Sequence, residues 1–217
     1  MSSRKFSLVP GEYYHVYNRG VDKRPVFKSR YDVERFLQCM NEFNTKDPIG
    51  SLYENSFAKK SQIISNKPLL AFVAYCLNPN HYHFLVTPLI EKGIETFMHR
   101  LGTGYTMFFN EKYKRSGSLF QGRFKASHVN SNEYLLHVSA YINLNDKTHQ
   151  LGGSTSKLVR SSWSEYTLSD PKRVCDKNII LEQFKTPGEY RDFALSSLKD
   201  IVERKTSERE FQDLLID

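Results

Sequence analysis

The pattern of apolar and polar residues predicts a series of strands and helices in the first part of the chain. Residues 12–19 are rich in aromatic and β-branched side chains, which favours a first strand. Residues 31–43 carry apolar side chains at a helical spacing. An apolar run at 69–77 and a second run at 81–87 flank the sequence Asn-Pro-Asn at 78–80, a composition typical of a tight turn. These two runs therefore predict a β-hairpin.

The pattern continues beyond the hairpin. Residues 94–113 predict a long helix, interrupted or bent near its two central glycines, and residues 122–129 predict a last strand. A further helix would begin at a cap near Ser131 and run to about Asn145. The polar stretch 44–67 predicts a long connection between the first helix and the hairpin.

The order strand, helix, strand, strand, helix, strand is that of the ferredoxin-like β-α-β-β-α-β arrangement. We therefore expect an α+β sandwich with an antiparallel sheet, one open sheet face and an extra helix at its C-terminal end. Residues 1–150 would form this domain. Residues 151–217 would form a linker, around 152–156, and a mostly helical accessory segment with a helix near 188–205. The sequence leaves open whether that segment docks on the domain, covers its functional site or contacts a partner.

The charge is distributed unevenly along the 217 residues. The chain has 31 Lys and Arg against 24 Asp and Glu, a net charge of +7. The excess lies within residues 1–150, and residues 100–125 combine six basic side chains and one acidic side chain with six aromatic rings. Such a mixture suits a protein that holds a phosphate backbone and stacks unpaired bases. A solvated helix that buries its aromatic face gives the same pattern.

Several classes of protein are disfavoured by the sequence. The three cysteines, Cys39, Cys76 and Cys175, lie far apart, which argues against a disulfide framework or a thiolate zinc cluster. No apolar run approaches the roughly 18 residues of a membrane span, and the first residues contain no apolar signal segment. We therefore expect a cytoplasmic protein without membrane contact.

Two pairs of residues are candidates for chemistry. His81 and His83 are two positions apart on a predicted strand, so both imidazoles leave the same face and could share a divalent cation. Tyr141 and Asn145 are four apart on a predicted helix and lie one above the other. A tyrosine can act as a nucleophile, and an amide oxygen is a hard metal ligand. Taken singly, each pair is better explained by ordinary packing.

Four sequence segments favour a chemical role for both pairs, because the segments occur together and in one order. They are YHVYNRG at 14–20, CLNPNHYHFLV at 76–86, GSLFQGRFK at 117–125 and YLLHVSAYINLN at 134–145. Together they resemble the single-tyrosine HUH transposases, most closely the REP-associated tyrosine transposases. That family combines a PNHxH turn and strand, a GxLFQGR segment and a YIxxN helix. The resemblance extends over roughly residues 8–168.

The resemblance implies a role for each candidate. Tyr141 would be the nucleophile, and His81, His83 and Asn145 would hold a divalent metal, Mg²⁺ or Mn²⁺. Many insertion-sequence relatives have Gln where this chain has Asn145. Tyr82 stands where the family usually has a small or aliphatic residue, and we expect its side chain to point away from the two histidines.

The resemblance also implies an activity. The protein would bind single-stranded DNA beside a hairpin, cleave it to leave a 5′-phosphotyrosine link, and rejoin strands without a nucleotide cofactor. It would work as a monomer or a homodimer. The side chains expected to contact DNA are Arg19, Lys112, Tyr113, Lys114, Arg115, Phe120, Arg123 and Lys125.

Three alternatives remain at this point. The first is a non-catalytic relative that only binds single-stranded DNA or RNA. The second is a metal-dependent enzyme that acts on RNA, since the same sandwich also supports RNA recognition. The third is an α+β domain whose histidines are purely structural. The distance between Tyr141 and the two histidines separates the third from the others.

Overall fold

The structure, a computed structural model, describes residues 7–49, 67–148, 156–168 and 174–214. The strands are β1 (Tyr13–Arg19), β2 (Leu70–Asn78), β3 (His81–Pro88), β4 (Lys125–Val129) and β5 (Arg160–Ser161). The helices are α1 (Arg30–Glu42), α2 (Gly93–Lys112), α3 (Asn132–Asn143), α4 (Asn145–Thr148), α5 (Trp163–Thr167), α6 (Asn178–Leu181) and α7 (Pro187–Leu214). Most of the predicted connection 44–67 and of the predicted linker 152–156 lies outside the described residues.

The strands form one antiparallel sheet in the order β4-β1-β3-β2-β5. The first four strands and the helices between them have the order and connections of the predicted ferredoxin-like arrangement, which is therefore confirmed. The two-residue strand β5 extends the sheet beside β2 and was not predicted, because a strand of this length has no detectable alternation.

One face of the sheet packs against α1 and α2. Val16 of β1 and Phe84 of β3 are buried there, with Phe36 of α1 and Tyr105 of α2. The Phe36 and Tyr105 rings meet edge to face at 4.8 Å, a favourable arrangement for aromatic pairs. We call this apolar layer the α1/α2 core.

The helix α2 is continuous, so the predicted interruption at its glycines is wrong. Gly104 lies where α2 crosses the end of α1, and a Cβ atom there would come within 2.7 Å of the Phe43 ring. The glycine is thus explained by close approach of the two elements rather than by a break. The predicted strand at 122–129 is also too long, since Gly122 has a φ of 68° and β4 starts only at Lys125.

The sequence predicted that the opposite face of the sheet is open, and this prediction is wrong. The helices α3 and α7 cover it, burying Leu85 of β3, Val138 and Ile142 of α3, and Tyr190 of α7 in a second apolar layer, the α3/α7 core. The accessory segment therefore docks on the domain, and its last helix is longer than predicted. None of the described helices combines the length and apolar character needed to cross a membrane.

Candidate active site

The register of the hairpin places both candidate histidines on the α3 side of the sheet. His81 pairs with Asn78 of β2 and His83 pairs with Cys76, and the two imidazole rings lie 5.1 Å apart and perpendicular to each other. Between them, Tyr82 points the other way and is buried in the α1/α2 core, as expected. The alternation of β3 thus separates a packing residue from two polar rings.

The helix α3 brings Tyr141 to the same place. Ser131 caps the helix, its hydroxyl accepting a hydrogen bond from the Tyr134 backbone N–H. One turn from the other end, the Tyr141 ring meets the His83 ring edge-on at 5.6 Å. Burial raises the pKa of the Tyr141 phenol, and a hydrogen bond with the Asn145 side chain partly opposes that rise.

The predicted helix to Asn145 is in fact two pieces. The helix α3 ends at Asn143, Leu144 adopts φ −112° and ψ 18°, and Asn145 begins the short helix α4. The break lets Leu144 pack in the α3/α7 core while the Asn145 side-chain oxygen lies 3.2 Å from His81 Nε2. The structure therefore brings together all four residues that the sequence singled out, and Tyr141 is not remote from the two histidines.

Two asparagines of the hairpin, which the sequence reasoning missed, fix the chemistry of His81. Asn80 donates its amide N–H to the Lys23 carbonyl, so its Oδ1 faces His81 Nδ1 at 2.6 Å and accepts a hydrogen bond from it. The proton of the neutral ring is then on Nδ1, which leaves a lone pair on Nε2.

Asn78 lies beside that lone pair. Its Nδ2 is 2.9 Å from His81 Nε2 and 2.6 Å from Asn145 Oδ1. His81 Nε2 and Asn145 Oδ1 are therefore two acceptors beside the same donor group, and they lie 3.2 Å apart. Two ligand atoms bound at right angles to one cation at about 2.1 Å would be about 3 Å apart. The position of Asn78 beside His81 could have been predicted from the sequence, since a two-residue turn sets the two residues opposite each other.

His15 is a third residue that the sequence reasoning missed. Its Nε2 lies 2.7 Å from His83 Nδ1, and the two rings stack at 5.0 Å. Burial lowers the pKa of His15 to about 4, so the ring is neutral at physiological pH. The signal was present in YHVYNRG, where the alternation of β1 places His15, Tyr17 and Arg19 on one face.

The side chains expected to contact DNA separate into two groups. Arg19 pairs with His81 in the sheet, and Lys125 pairs with Tyr17, so both lie on the face of the four-residue site. Arg19 also donates from its Nε to Gln121 Oε1 at 2.5 Å. The sheet therefore places two cations on the same face as the candidate active site.

The remaining members lie on the α2 side. Lys112 and Tyr113 both donate to the buried carboxylate of Asp32, at 2.5 and 2.7 Å. Arg115 bonds Asn110 and the Ser118 carbonyl in the turn after α2, next to Lys114. These contacts are intramolecular and hold α2 to α1 and to its own turn.

Phe120 and Arg123 follow in the next loop. Phe120 is only 6% exposed and packs against Tyr82 at 5.6 Å, so it fills the α1/α2 core instead of offering a face for a base. Arg123 is exposed at the edge of a cavity of about 450 Å³ between α2 and this loop.

The donor set at the candidate site is two imidazoles and one amide oxygen. Among residues 7–49, 67–148, 156–168 and 174–214, no group of three His, Cys, Asp or Glu side chains is arranged to hold a metal ion. His15 therefore does not complete a cluster of three imidazoles. A set of two nitrogens and one neutral oxygen fits Mg²⁺ or Mn²⁺ when other ligands come from substrate and water.

Comparisons with known proteins bear on this site. The family model described as "Transposase IS200 like" matches residues 9–145, which contain all four residues. A solved structure described as "Structure of the REP associates tyrosine transposase bound to a REP hairpin" is similar to this chain. It has a TM-score of 0.50 and 16% identity, and the match covers 76% of this chain and 84% of that one. No curated protein matches the sequence. The match to the solved structure shows a shared fold, and the family model shows that the chain belongs to the IS200-like transposases.

Proposed function

We propose that this transposase is a metal-dependent tyrosine endonuclease that cleaves and rejoins single-stranded DNA beside a hairpin. The observation that carries the proposal is the convergence of His81, His83, Asn145 and Tyr141 on one side of the sheet, within a family of transposases. The hairpin is proposed because the similar solved transposase is bound to one. Since all four residues belong to one chain, the proposal requires no second subunit.

His81, His83 and Asn145 are the residues that would hold the metal ion. Asn80 keeps the proton of the neutral His81 ring on Nδ1, so the lone pair is on Nε2, and Asn145 Oδ1 lies beside Nε2. When bound, Mg²⁺ or Mn²⁺ supplies a Lewis acid that withdraws charge from the scissile phosphate. Imidazole and amide ligands are neutral, so they leave the full charge of the cation available for that task.

Tyr141 carries the covalent step. Its phenolic oxygen forms a bond to phosphorus as its proton is lost to water, and the bond from phosphorus to the 3′-oxygen breaks. The 3′-oxygen leaves with the electron pair and takes a proton from water. One strand then ends in a 3′-hydroxyl and the other is linked to Tyr141 through its 5′-phosphate. Attack by the 3′-hydroxyl of another strand reverses these steps and joins DNA without an external energy source.

Arg19 and Lys125 would hold the substrate. Both are exposed and lie on the face of the site, where they can neutralise phosphates flanking the scissile bond. Lys112, Tyr113, Lys114, Arg115 and Arg123 lie on the α2 side, so any contact from them would be to a more distant part of the DNA.

The test is a covalent-adduct assay. A pool of 3′-labelled single strands, each with a hairpin flanked by randomised bases, is incubated with protein and Mg²⁺ or Mn²⁺. The wild type should give an adduct that survives denaturing electrophoresis, and a chelator should abolish it. Tyr141→Phe should give none, because the nucleophilic oxygen is missing. Tyr134→Phe is the matched control, since this tyrosine lies exposed on the same helix.

Each alternative has its own outcome in this assay. Binding of the labelled strands without any adduct would indicate the non-catalytic relative. A preference for RNA strands of the same hairpin would indicate the RNA enzyme. An equal adduct from wild type and Tyr141→Phe would show that another residue is the nucleophile.

A further inference from the structure

The contact between His15 and His83 has a chemical consequence for the metal site. His15 Nε2 and His83 Nδ1 are 2.7 Å apart, a distance at which one nitrogen donates a proton and the other accepts it. A neutral imidazole carries a proton on one nitrogen only. The direction of this single hydrogen bond therefore decides which nitrogen of His83 keeps a lone pair.

The two directions have opposite effects. If His83 Nδ1 donates to His15 Nε2, the lone pair of His83 is on Nε2, the nitrogen that His15 leaves available. If His15 donates instead, His83 Nε2 carries a proton and cannot bind a cation. A metal-ligating histidine generally gives its other ring N–H to a hydrogen-bond acceptor, which fixes the tautomer and the orientation of the ring.

The surroundings of His15 hold it in place for this role. Its ring lies 5.0 Å from Tyr17, stacks on His83, and meets Tyr141 edge-on at 6.0 Å. It is contributed by β1, whereas His83 belongs to β3, so the contact ties two central strands of the sheet together.

His81 offers a direct comparison. The Asn80 side-chain oxygen accepts from its Nδ1 at 2.6 Å, which leaves Nε2 for a ligand. The two candidate ligands would thus be prepared in the same way, one by an amide oxygen from the adjacent turn and the other by an imidazole from the neighbouring strand.

We propose that His15 is a positioning residue that accepts a hydrogen bond from the Nδ1–H group of His83 and so keeps the lone pair of His83 on Nε2, where it can bind the metal ion. This inference rests on the proposed function, because it assigns His15 a task for the metal ligand. The tautomer of His83 that binds the metal ion would then depend on the contact between β1 and β3, since neither histidine alone sets the tautomer.

The first test needs no metal and no substrate. Long-range ¹H–¹⁵N correlation spectra of the metal-free protein, with the His83 signals assigned from a His83→Gln sample, report which ring nitrogen carries the proton. The expected result is a protonated Nδ1 and an unprotonated Nε2 on His83. A protonated Nε2 on His83 in the wild type would overturn the proposal.

The second test measures Mn²⁺ binding by titration calorimetry. His15→Phe keeps a ring of similar size but has no acceptor, and its Mn²⁺ affinity should fall about 10- to 100-fold. His15→Gln offers an amide oxygen in its place and should recover part of the loss. His128→Phe is the matched control, because this histidine lies on β4 with Glu12 as its partner. It should bind Mn²⁺ like the wild type.

The outcomes separate this inference from the proposed function. Wild-type affinity in a folded His15→Phe protein would overturn the role of His15 and leave the metal site standing. Failure of the wild type to bind Mn²⁺ would contradict the proposed metal site, while the tautomer measurement would still decide whether His15 accepts from His83.

Discussion

Asn78 Nδ2 donates to Asn145 Oδ1 at 2.6 Å, which joins the end of β2 to the start of α4 across 67 positions of sequence. The same nitrogen lies 2.9 Å from His81 Nε2. An imidazole nitrogen has one lone pair, which either accepts this hydrogen bond or binds a cation. Asn78 therefore competes with a metal ion for His81.

The variant Asn78→Leu should bind Mn²⁺ more tightly than the wild type. Leucine has a similar size but no donor, so the metal ion no longer displaces a hydrogen bond worth about 1 kcal/mol, which corresponds to about fivefold in affinity. Without metal, the variant should unfold at a lower temperature. Titration calorimetry and thermal unfolding with and without Mn²⁺ measure both effects.

Asn132→Leu, at the exposed start of α3, serves as the control and should leave Mn²⁺ affinity unchanged. Weaker Mn²⁺ binding by Asn78→Leu would mean that Asn78 supports the ligands instead of competing for them.

The variants Arg19→Ala and Lys125→Ala should each weaken binding of single-stranded DNA. Each removes an exposed cation on the face that carries His81 and His83. The slope of log affinity against log salt concentration should become shallower by about 0.7 for each lost phosphate contact. Fluorescence anisotropy at several salt concentrations gives the slope. Lys185→Ala, exposed on the C-terminal segment, should keep the wild-type slope, and an unchanged slope for both site variants would place the DNA elsewhere.

The variant Asp32→Ala should be less stable by about 3 kcal/mol, since it removes the buried carboxylate that accepts hydrogen bonds from Lys112 and Tyr113. For a chain of this length, the melting temperature would fall by about 6–12 °C. Asp32 also accepts from the backbone N–H groups of Lys28 and Ser29, so the start of α1 would fray. Urea unfolding at pH 7 measures the loss, with Asp192→Ala on the exposed side of α7 as the control.

The contribution of Asp32 should depend on pH. Burial by itself would raise the pKa of Asp32, but hydrogen bonds from Lys112 and Tyr113 outweigh it and hold the pKa below its ordinary value. A carboxyl group with a lowered pKa in the folded protein stabilises it fully above the pKa of the unfolded chain, near 4, and loses that effect as the pH falls through the folded value. The difference between wild type and Asp32→Ala should therefore shrink below pH 4. An equal difference at pH 7 and pH 3 would contradict this assignment.

The variant Tyr190→Phe should loosen the anchoring of α3. Asn143 Nδ2 donates to the Tyr190 hydroxyl at 2.8 Å, and Ser139 Oγ lies 3.1 Å from the same oxygen. Both side chains of α3 are buried, so losing their common partner should cost about 2 kcal/mol. Urea unfolding measures the loss against Tyr134→Phe. Equal stability of the two variants would mean that packing of α7, rather than its hydroxyl group, anchors α3.

The sequence predicted much of the fold because period-two and helical patterns report directly which side of each element is buried. It predicted the separation of Tyr82 from His81 and His83 for the same reason. It failed at Gly104, whose role depends on the Phe43 ring, and at Phe120, whose aromatic ring suits a core and a binding surface equally well. These positions depend on contacts between distant segments, which no local pattern contains.

By itself, the sequence determined the order of the first four strands, the candidates His81, His83, Tyr141 and Asn145, and the family resemblance that links them. Only the tertiary structure decided that the α3/α7 core closes the second sheet face. It also showed that His15 and Asn78 contact the candidate ligands. The physical reason is that a hydrogen bond acts over about 3 Å, whereas His15 and His83 are 68 positions apart. The pairing of β1 with β3 brings His15 and His83 into contact, and we infer that this contact sets which ring nitrogen of His83 carries the proton.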